Sequence, residues 1–333
     1  MTNITRETLK ETREQLKASY EELKELSKEC LTGDSDMLAR LELQMEQIAA
    51  LKEKFLEQRN ALSVTIPNVG RLFKEQYEAL ERLASNNRLD VKVVLSGITI
   101  KDGVVVECVF WDAGLITLEG LESLQSIKKL NVNGNPGLIS LKGIPTREIE
   151  EIEAYECGLT GDLSELSGAD KLRSLAVSRN KGLTSLKGIP TQAIEYIYAY
   201  ECGLAGDLTE LRGAKNLRFL NVGSNEGLTS LRGIPTKKIE IIGASQCGLI
   251  GDLTELIGAD RLKKLYVDEN EGLTSLKGIS TQAIEYIYAY QCGLTGDHTF
   301  LSTARNLKSL RLRGNSDLTL DKTQFNPRVV IEI

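Results

Sequence analysis

The chain has 333 residues, with 41 Lys and Arg against 47 Asp and Glu, for a formal charge of −6. Its 41% apolar content supports a buried core and excludes a wholly disordered chain. A single His and a single Trp leave little for imidazole or metal chemistry, and the acidic balance argues against a general nucleic-acid binder. No apolar run reaches the ~18 residues of a membrane span, so none is expected. The segment from Met1 to Lys10 is polar and lacks the apolar centre of a secretory leader.

Residues 1–88 are expected to be helical. Leu9, Leu16, Leu23 and Cys30 recur every seven residues, with Tyr20 and Leu26 nearby. Thr32-Gly33-Asp34-Ser35 reads as a turn. Leu38, Leu41, Met45, Ile48, Phe55 and Leu62 then take a heptad-like course that Lys52 and Arg59 interrupt. Pro67 suits the first turn of a third helix carrying Val69, Leu72, Phe73, Leu80 and Leu83. Two arrangements fit: a helical hairpin that packs on itself or caps the first repeat, and a coiled coil that makes a homodimer or binds a partner helix. The mixed charges suit a solvated helix face rather than a membrane anchor.

Residues 89–111 are expected to form a β-hairpin cap. Val91 to Leu95 and Ile98 to Ile100 are β-branched runs, and Asp102-Gly103 precedes Val104-Val105-Val106 and Val109-Phe110. Asp-Gly between such runs is a hairpin signal.

Residues 112–333 are a repeat array. Asn135, Asn180, Asn225, Asn270 and Asn315 are each 45 residues apart, and so are Cys157, Cys202, Cys247 and Cys292. Lys181 to Cys202 differs from Glu271 to Cys292 at only three of 22 positions, and the two segments lie two full periods apart, which indicates duplication of a block of two 45-residue units. Each 45-residue unit splits into halves. One reads Leu172-x-x-Leu175-x-Val177-x-x-Asn180, then Gly182-Leu183, Leu186 and Gly188-Ile189-Pro190. The other reads Ile194-x-x-Ile197-x-Ala199-x-x-Cys202-x-Leu204, then Gly206-Asp207-Leu208, Leu211 and Gly213. Strand starts are expected at Ile127, Ile149, Leu172, Ile194, Leu217, Ile239, Leu262, Ile284 and Leu307, with a less regular tenth strand over Val329 to Ile333.

The pattern resembles the leucine-rich-repeat family, L-x-x-L-x-L-x-x-N/C-x-L, from Trp111 to Ile333. Leu204-Ala205-Gly206-Asp207-Leu208 followed by Leu211 is similar to the plant-type subclass. Gly182, an extra residue between Asn180 and Leu183, departs from it. The resemblance implies an α/β solenoid: a curved array of short parallel strands preceded by the helical hairpin or coiled coil. The glycine-rich return segments imply an irregular or 3₁₀ convex side. A coil of ~22 residues cannot enclose its own apolar side and must stack on copies. The Asn amide can satisfy backbone groups at each turn.

The repeat cysteines sit two strands apart, on the order of 9–10 Å, too far for a disulfide and too straight a row for a metal site. They read as packing thiols. Free buried thiols fit a reducing compartment, so a cytoplasmic location is expected. Asn3-Ile4-Thr5 matches a glycosylation triplet, a short motif that occurs by chance.

Alternation aims one set of side chains outward from the sheet. Lys128, Glu150, Arg173, Glu195, Arg218, Glu240, Lys263, Glu285 and Lys308 alternate in sign, as an internal charge ladder would. Tyr155, Tyr196, Tyr198, Tyr200, Tyr266, Tyr286, Tyr288 and Tyr290 fall within strand motifs, and Asn221, Gly223, Gly243 and Ser245 between them are small. Two readings arise: a shallow recess walled by tyrosines for a protein partner, or tyrosines stacked only on each other. Arg311 and Arg313 add positive charge near the end, as a solvated pair or a hold on an acidic group.

No phosphate loop or nucleophile–base set is present, and the periodic Asp and Glu read as repeat positions. His298 stands where Leu163, Leu208 and Leu253 stand in other units, so it reads as the mark of a frayed last unit. The expectation is a protein that is not an enzyme, holds no cofactor or metal, and binds a protein partner rather than nucleic acid on a concave, Tyr-rich face. The alternatives are a scaffold that self-associates through the amino-terminal helices and, by family analogy alone, an effector or ubiquitin-ligase substrate adaptor.

Overall fold

The computed structural model describes residues 6–29, 35–66 and 70–333. Asn3-Ile4-Thr5, Cys30, Thr32-Gly33-Asp34, Pro67 and Val69 lie outside the described residues. So do the side chains of Tyr20, Leu23, Leu26, Leu38, Leu41, Arg59 and Leu62. The chain forms two compact units, Met1–Glu78 with Ile100–Val104, and Ala79–Thr99 with Val105–Ile333.

In the first unit, helices α1 (Arg6–Glu29) and α2 (Ser35–Leu62) pack on each other. Leu9, Thr12, Gln44 and Ile48 are buried. The Gln44 amide donates to the Ser19 carbonyl at 3.2 Å and to the Glu22 carboxylate at 3.0 Å. The expected third helix begins later than Pro67. Ser63–Ile66 and Gly70–Phe73 form an antiparallel hairpin first, placing Leu72 and Phe73 on a strand. The run Ser63-Val64-Thr65-Ile66 is rich in β-branched residues, which favours this outcome. Helix α3 spans Lys74–Asn86 and carries Leu80 and Leu83, both buried.

The stretch expected as a strand over Val91 to Leu95 is instead a short helix, α4 (Val91–Ser96). Asp90 accepts the Lys92 N–H at 2.9 Å as an N-cap, and Gly97 ends the helix. Local capping here outweighs β-branched propensity. The hairpin expected at Asp102-Gly103 is present between Ile98–Lys101 and Val104–Val109, with φ of 53° and 80° at its two central residues.

The second unit is a parallel-strand solenoid. The main sheet has twelve strands, in chain order from Ile98–Lys101 to Val330–Glu332. From Val104–Val109 onward the strands are parallel and in strict register: Glu107 faces Lys129, Leu175 faces Ile197, and Tyr266 faces Tyr288. The residues facing in from the strand centres alternate Leu and Ile along the stack, as in Leu175, Ile197, Leu220 and Ile242, all buried. The return segments hold short 3₁₀ turns at Ser164–Leu166, Thr209–Leu211, Thr254–Leu256 and Thr299–Thr303. An Asp side chain caps each of these turns, as Asp207 does in accepting the Thr209 N–H at 3.0 Å. Gly233 has φ 106°, and a Cβ there would stand 2.1 Å from the Leu208 carbonyl, so the coil closes only over glycine.

The two coil types are chemically complementary. Asn180 donates to the Ala154 and Val177 carbonyls at 2.8 and 2.7 Å and accepts the Leu159 N–H at 3.0 Å. Ala154 and Leu159 belong to the preceding, Cys-bearing coil. Asn225, Asn270 and Asn315 repeat this set. The Cys202 thiol in turn donates to the Val177 carbonyl of the Asn coil before it, at 3.2 Å. Burial pushes the Cys202, Cys247 and Cys292 thiols up to about 11, which keeps the S–H as a donor. At the amino-terminal end, Asn135 makes the same bonds to Phe110, Val132 and Leu115, and beyond it Asn87 satisfies a further turn. Its amide oxygen accepts the Ile116 and Thr117 N–H groups at 2.7 and 3.0 Å.

Replacing Asn180 by Ala strands the buried Ala154 carbonyl and the buried Leu159 N–H and leaves the Val177 carbonyl only the Cys202 thiol. We expect a loss of about 2–4 kcal/mol in urea unfolding, from about 1–3 kcal/mol per unpaired buried group with partial relaxation. A loss under about 0.5 kcal/mol would contradict the ladder's role.

Candidate functional site

Register sorts the outward side chains into rows that run across the strands. The charge ladder lies along the strand entrances. Lys128 meets Glu150 at 2.7 Å, Arg173 meets Glu195 at 2.7 Å, and Lys308 meets Glu285 at 2.5 Å. Among the described residues of the ladder, Glu240 alone is gripped from both sides, by Arg218 at 2.5 Å and Lys263 at 2.8 Å. These two cations hold its carboxyl below the ordinary range. Such exposed pairs contribute about 0–1 kcal/mol each, and their main effect is on strand order.

The next outward row carries Tyr196, Phe219, Ile241, Lys264 and Tyr286. The row after it carries Tyr198, Asn221, Gly243, Tyr266, Tyr288 and Arg311. Two residues further along each strand come Tyr155, Ser178, Tyr200, Gly223, Ser245, Asp268, Tyr290 and Arg313. The tyrosines are half-buried at their bases, and Tyr290 is exposed. They form two groups. On one side Tyr198 stacks on Phe219 at 4.6 Å and Tyr155 lies 6.3 Å from Tyr200. On the other, Tyr266 meets Tyr288 edge-on at 5.1 Å. Tyr196 and Tyr286 flank the two groups on the entrance side.

Asn221, Gly223, Gly243 and Ser245 lie between the groups. The Asn221 side chain fills part of this floor, accepting the Gly223 N–H at 3.1 Å. A Cβ on Gly243 would lie 3.0 Å from the Asn221 amide oxygen. Asp268 borders the floor, accepting from Ser245 Oγ at 3.1 Å and from the Tyr290 N–H at 3.2 Å. Burial raises its carboxyl above the ordinary range.

Arg311 lies over the Tyr288 ring at 4.7 Å and reaches the Glu332 carboxylate at 3.4 Å. Arg313 is exposed, and a cleft of about 410 Å³ runs between the two arginines, Tyr290 and Glu332.

Three residues of this surface are absent from the sequence-based expectation. Phe219 stands at a strand position that alternation marks as outward, but it breaks the tyrosine pattern. Arg179 covers the Tyr155 ring at 5.2 Å and pairs with Glu201 at 3.0 Å. Trp111, 72% exposed, stands at the head of the row that contains Tyr155 and Tyr200. Its place is set once Val109 is known to face Asn131. That register cannot be read from the repeat because the first strand departs from the motif.

His298 is buried, not frayed. Its Nε2 accepts the Leu276 N–H at 3.2 Å, and Nδ1 lies 3.3 Å from the Gly296 carbonyl, which requires the Nδ1–H tautomer. Among the described residues no group of three or more His, Cys, Asp and Glu is placed to hold a metal ion. Nor is any helix long and apolar enough to cross a membrane.

The coil motif and the parallel register together fix the architecture. It is a leucine-rich-repeat solenoid. No family model matches the chain, and no curated protein matches it in sequence. Solved structures similar to it are leucine-rich-repeat proteins. A leucine-rich-repeat protein of Leptospira interrogans is 16% identical with a TM-score of 0.48, over 64% of this chain and 62% of that one. Internalin C2 of Listeria monocytogenes is 14% identical with a TM-score of 0.45, over 64% and 93%. The leucine-rich-repeat domain of the type III effector XopL is 12% identical with a TM-score of 0.49, over 78% and 89%.

Burial lowers the His298 pKa below its ordinary 6.5. The folded state therefore keeps the ring neutral while the unfolded chain takes up a proton. This contribution to stability is complete above about pH 6.5 and is lost as pH falls toward the depressed folded value. We expect the urea midpoint of the native protein to drop between pH 7.5 and 5 by more than that of His298→Leu, which restores the residue found at Leu253. Parallel pH curves for the two proteins would remove the effect.

Proposed function

We propose that the protein is a non-catalytic module that binds a protein partner across the concave, tyrosine-bearing face of its sheet. The observation that carries this reading is the pairing of two aromatic walls, around Tyr198–Phe219 and Tyr266–Tyr288, with a floor of small residues between them. Tyrosine offers large contact area and a hydroxyl at low entropic cost. Ring stacking and the Arg311–Tyr288 contact hold the walls in place before a partner arrives, which reduces the ordering cost of binding. The stacking reading and the binding reading are therefore compatible. Buried, protonated thiols support a cytoplasmic setting.

The test is affinity capture with the intact chain, followed by measurement of the captured partner's affinity. Replacing Tyr198, Tyr200, Tyr288 and Tyr290 by Ala should weaken binding by about 100-fold or more, at ~1–2 kcal/mol for each contact that matters. Circular dichroism should be unchanged. Undiminished affinity rejects the face as the site.

A second reading, self-association through the helical unit, has one observation in its favour. Met45 and Leu56 lie on one side of α2 and are 58% and 47% exposed. Light scattering of the full chain should then show a dimer that Met45→Glu with Leu56→Glu converts to monomer. A monomeric native protein would end this reading.

A further inference from the structure

A second surface lies at the strand exits, beyond the tyrosine rows. There a groove of about 1010 Å³ runs along the coils from Ser224 to Gly314. Glu226, Glu269 and Glu271 line it with Gln246, Gln291 and Ile250, and among the described residues no lysine, arginine or histidine does. Glu226 and Glu271 are exposed, and so is the apolar Ile250 at 64%.

The duplicated blocks show that this charge is not dictated by the coil. Arg179-Asn180-Lys181 in the first block corresponds to Glu269-Asn270-Glu271 in the second, 90 residues on. Of the three differences between Lys181–Cys202 and Glu271–Cys292, two fall on groove residues, Glu271 and Gln291. The backbone is the same in both blocks: Arg179 and Glu269 have φ of 59° and 57°, and both asparagines make the same ladder bonds. Two cations have thus been exchanged for two carboxylates on an unchanged frame.

We infer that this groove docks an extended, lysine- or arginine-bearing segment of a protein partner. Its cationic side chains lie against Glu226, Glu269 and Glu271, and its apolar stems against Ile250. Four strand spacings separate Ser224 from Gly314, about 19 Å, which an extended segment covers in about six residues. The charge complementarity sets the sign of the partner, and salt screens the attraction.

The test uses the full chain and two synthetic peptides of about eight residues, one alternating lysine with serine and one alternating glutamate with serine. Fluorescence anisotropy should give the lysine peptide at least about tenfold tighter binding, weakening as salt rises. Glu269→Arg with Glu271→Lys, which copies the first block's residues onto the second, should abolish that preference. Should that pair disturb the coil, the isosteric E226Q/E271Q pair gives the same readout, with a loss of about tenfold. Equal binding of the two peptides, or a preference that survives both pairs of substitutions, overturns the inference. The E226Q/E271Q pair separates this from the tyrosine-face reading, because, of the three groove carboxylates, Glu269 accepts the Tyr290 hydroxyl, at 3.2 Å, and that pair leaves Glu269 unchanged.

Discussion

The structure depends on how a coil of 22 or 23 residues satisfies its buried backbone. Such a coil is too short to pair its own turn groups and too narrow to admit water to them. The asparagine amide solves the problem across the boundary between coils. It accepts the Leu159 N–H and donates to the Ala154 carbonyl of the coil before it. The Cys-bearing coil is thus incomplete until an Asn-bearing coil is stacked on it. The thiol makes a weaker return contact to the Val177 carbonyl. Parallel register is the result, because each amide must meet one particular turn, and the alternating salt bridges on the outer edge reinforce the same order.

That register turns a linear repeat into a surface. Positions that alternate along each strand become rows across the sheet, so a tyrosine choice repeated in duplicated blocks becomes two aromatic walls. The pairs Tyr198–Phe219 and Tyr266–Tyr288 differ in geometry, one tilted and one edge-on, because their partners come from different residues in the neighbouring coils. The gap between the walls exists because Asn221, Gly223, Gly243 and Ser245 fall between the two copies of the Tyr-Ile-Tyr strand.

Much of this is legible in the sequence, and for a physical reason. Where the repeat holds, side-chain direction is fixed by the two-residue alternation, so the inward Leu175 and Ile197 and the outward Tyr198 can be assigned by counting. Legibility ends where the repeat gives no frame. Val91–Ser96 reads as a strand by composition, yet Asp90 and Gly97 bracket it as a helix. Ser63–Ile66 merges into a helical pattern because no coil positions flank it. Trp111 is hidden for the same reason. His298 is legible as a substituted leucine, but its two ring contacts depend on where Leu276 and Gly296 meet in space.

The handover between unlike coils also limits how the array can change length. Adding one Cys-bearing coil would set two such turns in succession and leave a leucine N–H without the asparagine Oδ1 that accepts it. Adding one Asn-bearing coil would place cation beside cation along the outer edge. Growth or shrinkage is therefore quantised in doublets of 45 residues, and the near-identity of Lys181–Cys202 and Glu271–Cys292, 90 residues apart, spans two such doublets. Each doublet would widen the sheet by about 9–10 Å. The molecule behaves as a ruler graduated in coil pairs.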